Sequence, residues 1–274
     1  MKHVIAIRKA LFIGLYAFGL CGAASATVTT LASYKLGEAD AGATVGALAA
    51  NPTLASVGAV NLPRVGAPTY SNTVPTLTRP SPLSVAFNGA SDGFRVGSVL
   101  STVTDNFGIE AWVRPTSNTG DSQIAYNGNT ATSGWGLFRQ GSDYAVLYGG
   151  NAVLRATGSV DLNQWTHLAV VRASGTTTLY KNGVSVATMF DGPNAPAGGF
   201  SIGINPLLDG EYFAGNIDEV RVFTFAAGQF TTSDLSSGLA FSDPVPAVPT
   251  VSTLGLTLTL LLLFIAGARF IRRR

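Results

Sequence analysis

Cysteine is all but missing: the 274 residues contain one, Cys21. No disulfide framework and no multi-cysteine metal centre can form. Histidine is almost as scarce, with only His3 and His167, so the paired histidines of a zinc hydrolase are excluded. Charged residues make up 12% of the chain, against about 25% in average usage, while 46% are apolar. That balance rules out both a disordered chain and a basic nucleic-acid-binding surface. Long amphipathic helices are missing too, since no stretch before the tail sustains a helical period over ten residues. What is abundant is glycine and proline, 32 and 13 residues, which favours many short elements separated by turns.

The formal charge of +2 hides an uneven distribution. Lys2, Arg8 and Lys9 precede the first apolar run, and Arg269, Arg272, Arg273 and Arg274 close the chain. The remaining 10 cations face all 15 acids between Glu38 and Asp243, a net of −5. A mildly acidic body is thus expected between two basic, apolar ends.

Each end has the layout of an address. Lys2–Lys9, the apolar run Ala10–Leu20 and the small-residue site Ala24-Ser25-Ala26 form a secretory signal peptide over residues 1–26, cleaved after Ala26. Val251–Ala268 carries no charge, and a helix of that length rises about 27 Å, enough to cross a bilayer. The arginines behind it place that flank in the cytoplasm and the body outside it. A Pro-rich linker, 241–250, joins body and tail, and 251–274 is the transmembrane helix with its basic end. Val248-Pro249-Thr250-Val251, the leucine-rich span and the terminal arginines resemble the IPTL-CTERM and PEP-CTERM sorting signals of Gram-negative bacteria. That resemblance implies recognition at Pro249 and Thr250 by an exosortase-like processing enzyme, and a protein in the periplasm or at the cell surface, at least transiently anchored in the inner membrane. An ordinary permanent anchor is the alternative.

Between the ends the pattern is that of an all-β body. Residues 39–82 show no sustained period and read as loops following an early strand, Val28–Leu36. From Leu83 onward short alternations of apolar and polar residues are set apart by Gly, Asn, Asp and Pro. Strands are expected at Ser84–Asn88, Phe94–Gly97, Phe107–Arg114, Gln123–Tyr126, Gly136–Gln140, Tyr144–Tyr148, Val153–Ala156, Trp165–Arg172, Thr176–Lys181, Val184–Thr188, Gly199–Gly203 and Tyr212–Phe223. Asn88-Gly89, Asn127-Gly128 and Asn182-Gly183 are candidates for tight hairpin turns. A dozen antiparallel strands in one domain imply two packed sheets.

The runs Phe107-Gly108-Ile109-Glu110-Ala111-Trp112-Val113-Arg114-Pro115 and Trp165-Thr166-His167-Leu168-Ala169-Val170-Val171-Arg172 come in that order. They are followed by Leu179-Tyr180-Lys181-Asn182-Gly183 and Phe213-Ala214-Gly215-Asn216-Ile217-Asp218-Glu219-Val220-Arg221-Val222-Phe223. Together they resemble the laminin-G-like branch of the concanavalin A-like lectin/glucanase fold. The resemblance implies an antiparallel two-sheet jelly-roll sandwich over residues 27–240, used for recognition or adhesion, with glycan or extracellular protein as partner and no nucleic acid.

Alternation puts Phe107, Ile109, Ala111 and Val113 on the core face, with Glu110, Trp112 and Arg114 opposite. Trp112 is therefore a candidate for stacking on a sugar, or is covered by a loop. Trp135, Tyr148 and Tyr212 are taken as loop aromatics and as the first ligand contacts to test. His167 reads as a packed histidine with one hydrogen bond. Asp218 alternates with Val220 and Val222, which puts a carboxylate on an apolar face, where it needs a cation or backbone donors. The resemblance implies one structural Ca²⁺ near such a residue, with Asp92 as a second ligand. The paired carboxylates of a glycosidase find no match in the sequence, which leaves a non-enzymatic binding module. Glu110 and Glu211 are the acids to test for the rival, a glycan hydrolase or lyase of the same fold. A structural matrix protein is the third possibility.

Overall fold

In the computed structural model, residues 28–77 and 81–237 are described. The expected signal peptide 1–26, the linker 241–250 and the tail 251–274, with Ala26, Pro249 and Thr250, lie outside the described residues. Among the described residues no helix is long and apolar enough to cross a membrane.

Two antiparallel sheets face each other. The larger contains β1 (Thr29–Tyr34), β3 (Thr69–Ser71), β4 (Ser84–Asn88), β6 (Phe107–Pro115), β11 (Thr166–Ala173), β12 (Thr176–Lys181), β13 (Val184–Met189) and β15 (Ala214–Thr224). Its order is β13-β12-β11-β6-β15-β4-β3, with β1 also paired to β15. The smaller contains β2 (Arg64–Val65), β5 (Gly93–Val96), β7 (Asp121–Asn129), β8 (Ser133–Gln140), β9 (Asp143–Tyr148), β10 (Ala152–Ala156) and β14 (Gly199–Ile202). They run in the order β10-β9-β8-β7-β14-β5-β2. Residues with a period of two meet between the sheets: Ile109, Ala111 and Val113 from β6, Val220 and Val222 from β15, and Trp135, Leu137, Tyr144, Val146, Phe200 and Ile202 from the smaller sheet.

The strands from Ser84 onward stand where alternation puts them, although β7 is longer than expected. Asn182-Gly183 makes the expected hairpin turn, at φ +51° and +77°. The other two Asn-Gly pairs do not. Asn127 lies inside β7, fully buried, where its amide accepts from the Leu100 N–H (2.8 Å) and donates to the Ser101 carbonyl (2.8 Å). Asn88 ends β4 and caps a longer loop by accepting from the N–H groups of Ala90 and Ser91.

Residues 39–77, expected as loops, add β2, β3 and isolated bridges such as Leu48 with Thr69. Point contacts organise this segment. The buried Asp40 carboxylate accepts from Thr53 Oγ1, the Tyr70 hydroxyl and the Leu54 N–H, each at 2.7 Å.

In β15 a register slip between Asp218 and Arg221, with Glu219 at φ +48°, sets Asp218 opposite Trp112 and Arg221 opposite Glu110. Three steps along β15 thus match two along β6. Asp218 shares the side of Trp112 and Arg221, which corrects the expected alternation with Val220 and Val222.

Candidate functional site on the outer face of the smaller sheet

Outer faces distinguish the two sheets. On the smaller sheet, the residues alternating with the core form a row across five strands: Leu147, Gly136, Tyr126, Ser201 and Arg95. Tyr126 lies flat over glycine, since a Cβ at Gly136 would stand 2.6 Å from its ring and one at Gly149 would stand 2.7 Å from its hydroxyl. That hydroxyl donates to the Ser133 carbonyl (3.0 Å) and accepts from the Gly149 N–H (2.9 Å).

A loop, residues 203–213, lies across this face. Ser201 Oγ donates to the Ile204 carbonyl (2.6 Å), Arg95 Nε donates to the Pro206 carbonyl, and Thr130 Oγ1 donates to Asn205 Oδ1 (3.1 Å). The backbone turns through the left-handed region at Leu208 (φ +63°) and Glu211 (φ +53°). Neither residue adopts that region readily, and such strain persists only where surrounding contacts hold it.

Glu211 is the centre of these contacts. Its Oε2 accepts from Gln123 Nε2 and from Asn205 Nδ2, both at 2.8 Å, and its carbonyl accepts from the Gln123 N–H (2.9 Å). Both side-chain donors are neutral amides. Gln123 Oε1, turned away from Glu211, is buried without a hydrogen-bond partner. The loop exposes Leu207 and Leu208, and Tyr212 is half-buried beside Glu211.

The larger sheet's outer face is closed instead. A strap from Phe225 to Ser237, with a short 3₁₀ turn at Thr232–Asp234, packs Phe230 and Leu235 on Phe223, Phe225, Val171 and Tyr180. Beneath it Glu110 is fully buried, within 3.0 Å of His167 Nε2 and paired with the Arg221 guanidinium. It also accepts from the Ser236 hydroxyl (3.0 Å) and N–H (3.1 Å). Burial alone would raise the Glu110 carboxyl, but Arg221 and His167 outweigh it and hold it down at about 2.

The expected ligand aromatics are mostly core. Trp135 is on β8, fully buried, stacked at 4.3 Å on Phe107, with Nε1 donating to the Val103 carbonyl (2.9 Å). Tyr148 is also fully buried on β9, its hydroxyl 2.7 Å from that of Thr177, and burial pushes it up to about 12. Trp112 lies under the strap and donates to the Ser236 carbonyl (3.2 Å). None of the three has a ring face open to a sugar: Trp135 and Tyr148 point between the sheets, and the strap covers Trp112. Tyr212 alone keeps partial exposure. Gln123 and Asn205 were not singled out by sequence; alternation within β7 was the available signal for Gln123.

The two residues expected to hold calcium are apart. Asp92 is spent on backbone donors: Oδ1 accepts from the Ala67 N–H (2.8 Å) and Oδ2 from the Asn88 N–H (3.1 Å). Asn88 pairs with Ala214, four residues and about 13 Å along β15 from Asp218. Asp218 is fully buried, with Oδ2 3.0 Å from Ser81 Oγ and Oδ1 accepting from the Glu219 N–H (2.8 Å). Ser81 Oγ also lies 2.8 Å from Glu38 Oε1 and 3.0 Å from the Leu83 carbonyl. One hydroxyl hydrogen cannot serve three acceptors, so a carboxyl must carry its own proton. Burial, then the Glu219 and Glu38 carboxylates, push the Asp218 carboxyl well above the usual range, in the direction that favours its holding a proton. Asp92 and Asp218 therefore do not fit a shared Ca²⁺, and among the described residues no three His, Cys, Asp or Glu side chains group as metal ligands.

No curated protein matches the chain in sequence. Among solved structures, domain 4 of AbnA, a GH43 extracellular arabinanase from Geobacillus stearothermophilus in complex with arabinotriose, is 20% identical. It superposes at TM-score 0.53 over 76% of this chain and 98% of that one. The botulinum neurotoxin serotype D binding domain (15% identity, TM-score 0.49) aligns over 76% of this chain and 50% of its own. Trypanosoma rangeli sialidase (16%, 0.49) aligns over 75% and 32%. The likeness to the arabinanase domain shows the fold. The family profile Laminin_G_3 matches residues 88–229, half of the chain and most of the sandwich, so the chain belongs to the concanavalin A-like lectin/glucanases superfamily.

Proposed function

We propose that this is an exported, membrane-anchored glycan-binding module without enzymatic activity, which takes its ligand at the outer face of the smaller sheet, beside Glu211 and Tyr212. Glu211 is the observation that carries this. Two neutral amides fix its Oε2, and among the described residues no cation stands within ion-pair distance of it. Its other oxygen is left as an acceptor that suits the hydroxyl donors of a sugar, while Tyr212 offers a ring at its edge. The arabinotriose bound by the arabinanase domain of like fold agrees with this ligand class. Hydrolysis would need a second carboxylate roughly 5 to 9 Å away across the bond. Asp209 is exposed on the same loop, and Glu110 is sealed under the strap. Export rests on the signal-like start, and anchoring on the tail with Pro249 and Thr250.

The full-length protein on an oligosaccharide array that includes arabinotriose tests the site. Glu211→Gln and Tyr212→Ala should each weaken retention by about tenfold, the size of one lost ligand contact. Failure to retain any glycan, or undiminished retention by both variants, would sink the proposal. Release of reducing ends that stops in Glu211→Gln would favour the hydrolase.

A further inference from the structure

One side of the sandwich is apolar and sits where the chain leaves the body. β10 and β13 are the edge strands of the two sheets and lie side by side. Together with the residue after β13 they expose Val153 (45%), Val184 (64%), Val186 (40%) and Phe190 (83%). Three of the four follow one another on and just past β13, an exposed apolar row along one edge of the larger sheet, while Val153 stands on the neighbouring β10.

Where the body ends decides what covers this surface. The last described residue, Ser237, packs on the β12–β13 turn: a Cβ at Gly183 would lie 2.9 Å from Ser237 Oγ. From that point residues 238–250 lead to the uncharged run Val251–Ala268, expected to span a bilayer. A Pro-rich segment as long as 238–250 extends to about 40 Å and reaches no more than about 45 Å. Val184 directly follows the turn on which Ser237 rests, so the apolar edge begins at the root of the tether and runs to Phe190, six residues and about 20 Å further along the chain. The charges on this side are Lys181, bonded to Asp161 (2.7 Å) and the Ser159 carbonyl (2.6 Å), the exposed Arg155, and the acids Asp161 and Asp191. Sheet extension by a second copy is disfavoured: the register slip between Leu179 and Tyr180 leaves Val186 as an extra residue on β13, breaking the flat ladder another strand would need.

We propose that the β10–β13 side, led by Phe190, rests on the lipid surface in which the same chain is anchored. An aromatic ring flanked by valines suits the headgroup boundary, and tethering supplies the effective concentration that so small a patch needs. This rests on the anchored part of the proposed function.

The test uses full-length protein, with Cys21→Ser, reconstituted in phosphatidylcholine–phosphatidylglycerol vesicles. A nitroxide is attached at Phe190→Cys or, as a control remote from the tether in sequence, at Val45→Cys, itself 57% exposed. The Phe190→Cys label should collide several-fold more with oxygen, relative to an aqueous nickel complex, than the Val45→Cys label. Flotation with the vesicles but equal accessibility at the two positions overturns the lipid contact alone. Label–label broadening at Phe190→Cys, the mark of a second copy, overturns it as well. Failure to float with the vesicles overturns both the contact and the anchoring on which it rests.

Discussion

Each sheet has its outer face crossed by its own chain, and each crossing segment is fastened by a glutamate, but the two fastenings differ in kind. Glu110 is paired with Arg221 and His167 and accepts twice from Ser236, so both its oxygens are satisfied and it is sealed from water. Glu211 is held by two amides on one oxygen. A carboxylate whose two oxygens are both taken up by a guanidinium, an imidazole and a serine stabilises a fold and has little left to offer a ligand. One held by neutral groups keeps acceptor capacity, and that separates a clamp from a binding site.

The sharpest way to break the comparison is to neutralise both acids. Glu110→Gln leaves the Arg221 guanidinium beneath the strap without its counter-charge, and breaking a buried pair in this way costs on the order of 3–5 kcal/mol. Glu211→Gln, half-buried and free of cations, should cost under about 1 kcal/mol. Urea unfolding of both variants measures the difference; equal losses would mean that Glu211 is a clamp as well.

Acidity sharpens the same point. Glu110 is held at about 2, against an ordinary value of 4.5, so its contribution is present above 4.5 and is lost as pH falls towards 2. The shift amounts to about 3 kcal/mol. Asp218 runs the other way: its raised value stabilises the fold while the proton is held and loses that contribution as pH rises through it. Thermal melting against pH should therefore fall on both sides of a maximum. Asp218→Asn should flatten the alkaline side and leave the acid side unchanged; an unaltered alkaline side would deny Asp218 its proton.

How far the sequence foretold these two faces depends on how locally each signal is written. Alternation in Phe107–Arg114 foretold the strand, its core face and the placing of Glu110 with Trp112. It could not show what covered them, because Ser236 is 126 residues from Glu110 and makes contact only after the last strand is laid down. Trp135 and Tyr148 were mistaken for loop aromatics because they stand at the margins of the strands expected at Gly136–Gln140 and Tyr144–Tyr148, where the alternation gives no inward face; β8 in fact begins at Ser133. The slip at Glu219 breaks the period of two on which the placing of Asp218 relied. Glu211 could be seen only as a loop acid, since its partners Gln123 and Asn205 come from β7 and from the loop's far limb. Asp40 makes the same point in residues 39–77: three bonds at 2.7 Å order a segment in which no period is written.

The smallest expected effect isolates the clamp most cleanly. Trp112→Phe keeps the ring beside His167 and removes one donor, the Nε1–H bound to the Ser236 carbonyl. That single bond contributes about 1 kcal/mol, too little to unfold the body but enough to let the strap open more often. Hydrogen exchange should then quicken about fivefold at the amides of residues 230–237 and stay unchanged in 203–213 across the other sheet. Quickening in both segments would show the two faces opening as one unit, and the separation of clamp from site would fail with it.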